Sequence, residues 1–78
     1  MNLSVQDLIL NATHKGQQFT TQSITESIYQ CEKGDQIYKL HVDEVGRELQ
    51  KLAKNGKLSK DRIDTGKGYF IVKWERIA

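Results

Sequence analysis

Residues 42 to 74 constrain the fold more than any other part of the chain. An amphipathic helix runs into Asn55-Gly56, a strong helix-ending signal, and continues as a strand, a glycine turn and a second strand. Val45, Leu49 and Leu52 recur at helical spacing and predict one buried face, opposite a polar and basic face. The pattern predicts an α+β fold in which a long helix leads directly into a β-hairpin.

The hairpin is predicted over residues 58–63 and 69–74, with residues 64–68 as its tip. Gly66 and Gly68 can adopt the positive φ angles that such a tip needs. Phe70, Val72 and Trp74 alternate along the second strand, so we expect them on the face toward the core.

A first helix is predicted from Val5 to about Lys15. Ser4 is a suitable N-cap, and Asp7 three residues later completes a capping-box pattern. Gly16 is placed to end the helix in a left-handed conformation. Because the helix has an apolar stripe and few charges, we expect it to support the core.

A second helix is predicted to begin after Thr20 or Thr21 and to run to about Gln30. Residues 31–41 follow, and their apolar side chains indicate a short helical turn or extended piece under the third helix. That third helix is expected to begin near Val42 or Asp43, where an acidic residue favours a helix N-terminus. The connection is longer than a tight helix-turn-helix turn.

Length and composition predict one cytoplasmic domain over residues 1–78. Seventy-eight residues are too few for two hydrophobic cores, and no apolar run approaches the roughly 20 residues that span a bilayer. No secretory signal is evident, since Asp7 interrupts the first apolar run. The lone Cys31 fits a reducing compartment and is interpreted as a small packing residue.

Charge is distributed unevenly along the chain. Residues 1–46 carry three Lys/Arg against six Asp/Glu, whereas residues 47–78 carry nine against four, giving −3 and +5. A basic C-terminal half is typical of a domain that faces a polyanion. The other interpretation is that these residues only solvate an exposed helix and hairpin.

The order and spacing of Val45, Leu49, Leu52, Gly56 and Leu58 resemble the winged helix-turn-helix superfamily, in which a recognition helix, a glycine and an aliphatic residue lead into the wing. The resemblance covers about the last 60 residues. It implies three helices followed by a C-terminal β-hairpin wing, with the third helix in the major groove of double-stranded DNA and the wing on the adjacent backbone or minor groove.

The resemblance also implies a set of DNA-binding residues. Near bases or phosphates on the third helix we expect Arg47, Gln50 and Lys51. On phosphates we expect Lys54, Lys60, Arg62 and Lys67, together with Thr21 and Gln22 at the start of the second helix, which crosses the DNA backbone in such proteins.

Catalysis and cofactor binding find little basis in the sequence. His14 and His41 are isolated, so no metal site of recognised spacing is predicted. Gly66-Lys67-Gly68 lacks the rest of a phosphate-binding loop and is interpreted as the hairpin tip. We therefore expect neither an enzyme nor a bound cofactor.

Two functions remain. One is a small DNA-binding protein, a transcriptional regulator of bacterial or phage type; the other is a winged helix that binds a protein without contacting DNA. The acids Asp43 and Glu44 and the net charge of +2 favour the second, and RNA binding is a more distant third. A homodimer is not indicated, and would have to form through the first helix or residues 31–41.

Overall fold

The computed structural model describes residues 3–31 and 34–78, which form a small α+β fold. These residues contain three helices and a three-stranded antiparallel sheet of order β1-β3-β2. In chain order the elements are α1 (Val5–Ala12), β1 (Gln18–Thr20), α2 (Thr21–Tyr29), α3 (Tyr38–Lys54), β2 (Leu58–Asp64) and β3 (Phe70–Arg76).

One core joins the helices to the sheet. Val45, Leu49 and Leu52 are its contribution from α3, as the helical spacing predicted. The other buried members of this core are Ile9, Phe19, Ile24, Leu58 and Trp74. The helices therefore pack on the face of the sheet that carries Trp74.

Helix α1 begins as predicted and ends earlier than predicted. The Ser4 hydroxyl accepts a hydrogen bond from the Asp7 main-chain N–H at 3.2 Å, and the Asp7 carboxylate accepts one from Ser4 N–H at 3.3 Å. The helix stops at Ala12 rather than Lys15, because Thr13 is already extended. Gly16 has a positive φ of 90°, but it lies in the turn that leads to β1 and not at the helix end.

Helix α2 and the hairpin follow the sequence prediction closely. Thr20 is the N-cap of α2, and Gln30 ends it in a left-handed conformation. The seven-residue strands β2 and β3 pair from Leu58 opposite Arg76 to Asp64 opposite Phe70. Gly66 and Gly68 both have positive φ in the turn between them.

Helix α3 begins at Tyr38, so the predicted start near Val42 or Asp43 is wrong. Ile37 occupies the N-cap position without any side-chain cap, which leaves no local signal in the sequence. Tyr38 is buried on the same stripe as Val45, so packing fixes this first turn. Asp43 is the sixth residue of the helix and is not a cap. Of the uncertain segment 31–41, residues 32 and 33 lie outside the described part of the chain.

Strand β1 was not predicted. Its three residues pair with β3, placing Phe19 opposite Trp74. The strand ends opposite Lys73, so the part of β3 nearer the turn pairs with β2 alone. Phe70, expected on the core face, lies in that outer part and is 48% exposed.

Candidate nucleic-acid interface

An open groove of about 720 Å³ lies between the start of α2, the exposed side of α3 and the hairpin. We call it the α3–hairpin groove. Helix α2 contributes Thr21 and Gln22, α3 contributes Val42, Asp43, Gly46, Arg47 and Gln50, and the hairpin contributes Lys60, Phe70, Ile71, Val72 and Trp74.

One stripe of α3 faces this groove. Asp43, Arg47 and Gln50 follow one another at intervals of four and three residues, which places them on one side of a helix. All three side chains are exposed. Arg47 makes no hydrogen bond or ion pair with any residue in 3–31 or 34–78, so its guanidinium is available to a ligand.

Cations and aromatic rings alternate on the hairpin side of the groove. The Lys60 ammonium lies 5.7 Å from the centroid of the Trp74 ring, and the Arg62 guanidinium carbon lies 3.7 Å from that of Phe70. Both distances suit cation–π contacts. These contacts hold two positive charges near the wall of the groove while leaving the donors in reach of solvent.

Thr21 has a structural contact that the sequence did not suggest. Its hydroxyl oxygen accepts a hydrogen bond from the Trp74 indole N–H at 3.0 Å, which ties the start of α2 to β3. Gln22, the next residue, is exposed and lines the groove. Of the two, Gln22 is the freer to contact a ligand.

The structure brings together five of the nine side chains predicted for DNA binding. Lining the groove are Thr21, Gln22, Arg47, Gln50 and Lys60. The other four, which are exposed but outside the groove lining, are Lys51, Lys54, Arg62 and Lys67. Lys51 forms a 3.3 Å ion pair with Glu48 on its own helix, so it points away from Gln50 and the groove stripe.

Seven residues that line the groove were not predicted for DNA binding: Val42, Asp43, Gly46, Phe70, Ile71, Val72 and Trp74. Asp43 belongs to the same stripe as Arg47, and that spacing would have identified it once the helix was known to begin at Tyr38. Gly46 lies in the middle of α3 and lines the groove. A Cβ built there would lie 3.8 Å from Thr21 Cγ2, an ordinary van der Waals distance, so packing does not demand glycine.

Glu44 lies outside the groove, in a cluster that joins α2 to α3. Its carboxylate accepts a hydrogen bond from the Tyr29 hydroxyl. Burial and this carboxylate raise the pKa of Tyr29 to about 12. The Tyr29 ring stacks on His41, with centroids 3.9 Å apart. Asp43 and Glu44 therefore have different surroundings, since Asp43 lines the groove and Glu44 contacts Tyr29.

A second tyrosine in this region also faces an acid. The Tyr38 hydroxyl donates to the Glu26 carboxylate at 3.4 Å, and burial together with this negative charge raises the pKa of Tyr38. Cys31, with a free thiol, is buried nearby in the connection that leaves α2. Together these contacts fix the orientation of α3 relative to α2.

Across 3–31 and 34–78, no group of three or more His, Cys, Asp or Glu side chains is arranged to hold a metal ion. None of the helices in that part of the chain has both the length and the apolar character needed to cross a bilayer.

Comparison with protein-family models, with curated proteins and with solved structures found no match to this chain. The residues and their geometry therefore carry the functional argument.

Proposed function

We propose that this chain is a winged helix domain that binds double-stranded DNA, with α3 in the major groove and the hairpin against the adjacent backbone or minor groove. The observation that carries the proposal is the groove itself. It combines Arg47, which has no partner among the described residues, and an exposed Gln50 on one helix with Lys60 on a facing hairpin. Arginine and glutamine are side chains that read guanine and adenine edges, whereas lysine suits phosphate.

The dimensions of α3 support this docking. Its 17 residues give a length of roughly 25 Å. A helix of about 10–12 Å diameter fits the B-DNA major groove, which is about 12 Å wide. Lys54 in the last turn of α3 and Lys67 in the hairpin turn are exposed outside the groove lining, and we assign them to phosphates.

Of the two neighbouring acids Asp43 and Glu44, Asp43 alone lines the groove. Asp43 and Glu44 both counted against DNA as long as both were placed at the start of the helix. Glu44 is engaged with Tyr29, so it is not a free acid facing a ligand. Asp43 remains in the groove and requires an explanation of its own.

A DNA titration of the intact chain tests the proposal. With Lys54, Lys60, Arg62 and Lys67 on phosphates, the log–log salt slope should be about −3.6 for about four contacts. NMR shifts should appear at Arg47, Lys60 and the 65–69 turn at low salt. Lys60→Ala should make the slope less steep by about 0.9. The matched control Lys15→Ala removes the same charge outside the groove and should leave the slope unchanged.

Arg47→Ala separates base reading from phosphate binding. It should weaken the preference at one base pair by about 1–3 kcal/mol, whereas Lys67→Ala should weaken binding to all sequences alike. If neither the groove residues nor the turn responds to any duplex at low salt, DNA binding is wrong.

One observation favours the alternative, a protein-binding winged helix. Four large apolar side chains are exposed on the outer hairpin, namely Ile63, Tyr69, Phe70 and Ile71. Ile63 pairs with Ile71 across the two strands, so these two share one face of the hairpin. Neighbouring exposed apolar side chains mark protein interfaces more often than phosphate contacts. In the same titration, the alternative predicts no duplex-dependent shift, and it predicts that hairpin substitutions such as Tyr69→Ser leave the groove resonances unchanged.

A further inference from the structure

Asp43 is a carboxylate in the part of the fold where a DNA-binding protein would least be expected to keep one. It lies in the α3–hairpin groove, one helical turn before Arg47, and its side chain is exposed. A fixed negative charge there meets repulsion from phosphates on any duplex. The residue therefore lowers general affinity for DNA.

The position of Asp43 in α3 excludes a helix-capping role for this acid. A helix-capping or helix-dipole role requires a position at or near the first turn, and Asp43 is in the second turn of a helix that begins at Tyr38. Asp43 forms no hydrogen bond or ion pair with the described residues 3–31 and 34–78. An Arg47 four residues later is well spaced for an ion pair along the helix, yet the two side chains do not form one.

Position along α3 places Asp43 among the base-reading side chains. At 1.5 Å per residue, Asp43 and Arg47 are separated by about 6 Å along the helix axis, and Asp43 and Gln50 by about 10.5 Å. These separations match two to three base-pair steps of about 3.4 Å. Asp43 is thus set to meet a base edge about two base-pair steps from the one that Arg47 meets.

The chemistry of a carboxylate in the major groove is selective. Ionised aspartate only accepts hydrogen bonds, and cytosine presents its N4 amino group there as a donor. Guanine presents two acceptors and thymine presents an acceptor and a methyl group, so both are disfavoured opposite Asp43. Adenine presents its N6 amino donor beside the N7 acceptor, which repels a carboxylate and makes adenine less favourable than cytosine. Repulsion of the wrong partner is a common source of specificity.

We propose that Asp43 is a specificity-determining residue that accepts a hydrogen bond from the N4 amino group of a cytosine about two base-pair steps from the base pair read by Arg47. The inference rests on the proposed DNA binding and adds a base identity to it. The Asp43 carboxylate lowers the affinity for all duplexes through phosphate repulsion, and it lowers the affinity most for sequences that lack this cytosine.

Selection from a randomised duplex library, with the intact chain and its variants, tests the assignment. The wild-type chain should enrich a motif with one cytosine position that Asp43→Ala loses, with the preference there falling by at least about fivefold. Asp43→Asn should change that position from cytosine to adenine, because an amide pairs with the adenine edge. Asp43→Ala should also bind random duplex more tightly than wild type.

Asp61→Ala is the matched control. Asp61 is an exposed acid on β2 outside the groove lining, so its removal changes the net charge equally. It should raise affinity without altering the motif. If Asp43→Ala and Asp43→Asn behave like Asp61→Ala, Asp43 is only a source of repulsion and the assignment is wrong.

Failure of the assignment and failure of DNA binding give different results. A wild-type motif that both Asp43 variants retain overturns the specificity role alone. Salt-dependent wild-type binding without any enriched sequence also overturns it while leaving DNA binding intact. Absence of binding to every duplex at low salt overturns both.

Discussion

The Arg76 guanidinium donates hydrogen bonds to the main-chain carbonyl and the hydroxyl oxygen of Thr13, both at 3.1 Å. The same nitrogen donates to the Leu10 carbonyl at 2.8 Å. These carbonyls belong to the end of α1, where main-chain acceptors have no partner within the helix. The last residue of β3 therefore caps the first helix, and one of the basic residues of the C-terminal half has a structural role.

Arg76→Ala should lower the free energy of unfolding by about 2–3 kcal/mol, because it removes charge-assisted hydrogen bonds to partly buried carbonyls. Urea unfolding measures this change. Lys73→Ala, on an exposed position of the same strand, should stay within about 0.5 kcal/mol of wild type. Equal effects of the two substitutions would show that Arg76 does not stabilise α1.

Thr21→Val should destabilise the fold by about 1–3 kcal/mol, because the Trp74 indole N–H loses its acceptor while the shape of the residue is kept. Thr21→Ser retains the oxygen and should lose less. The measurement is thermal unfolding of both variants. If serine costs as much as valine, the methyl contact rather than the hydrogen bond is what matters.

Gly46→Ala should stabilise the free protein by about 1 kcal/mol, since glycine is that much less favourable than alanine within a helix and the added methyl meets only Thr21 Cγ2 at 3.8 Å. The same methyl stands in the groove, so duplex affinity should fall. Thermal unfolding and the DNA titration measure the two effects separately. A loss of stability would show that packing, rather than ligand approach, requires the glycine.

Tyr29 should make stability depend on pH in the alkaline range. Its pKa is about 12 in the folded chain against an ordinary 10.0, so the folded state holds the proton more tightly. The stabilisation is complete below about pH 10 and is lost as the pH rises through about 12. The gap in unfolding free energy between wild type and Tyr29→Phe should therefore narrow between about pH 10 and about pH 12.

The Tyr29→Phe comparison cancels the other groups that titrate there. Lysines and Tyr38, whose pKa is also raised, are present in both proteins. A gap that stays constant across this pH range would contradict the assigned role of the Tyr29–Glu44 hydrogen bond.

The sequence predicted the elements that depend on local signals. Caps at Ser4 and Thr20, the break at Asn55 and the glycines of the hairpin turn act within a few residues, and the structure has them all. The start of α3 has no side-chain cap and was therefore missed. It is stabilised instead by the packing of Tyr38 against other elements. A hydrophobic stripe extended backwards from Val45 would have included it.

The missed features depend on contacts between distant residues. The three residues of β1 form a strand only because Trp74 and its neighbours lie beside them. The Arg76 contacts with α1 link residues more than 60 positions apart. For the groove, Arg47, Gln50 and Lys60 were expected from the resemblance to winged helix domains, whereas Asp43 was expected at the start of the helix and lies in its second turn.

Because β1 is short, the hairpin is supported by a third strand at its inner end only. Phe19 pairs with Trp74 at this inner end. From there the hairpin extends toward the Gly66 turn, and among the described residues no third strand lies beside that outer part. This inner end is also held by the hydrogen bond from the indole N–H of Trp74 to the Thr21 hydroxyl. Because Trp74 is the single tryptophan of the chain, its fluorescence reports on changes at the inner end of the hairpin when a molecule binds to the outer end.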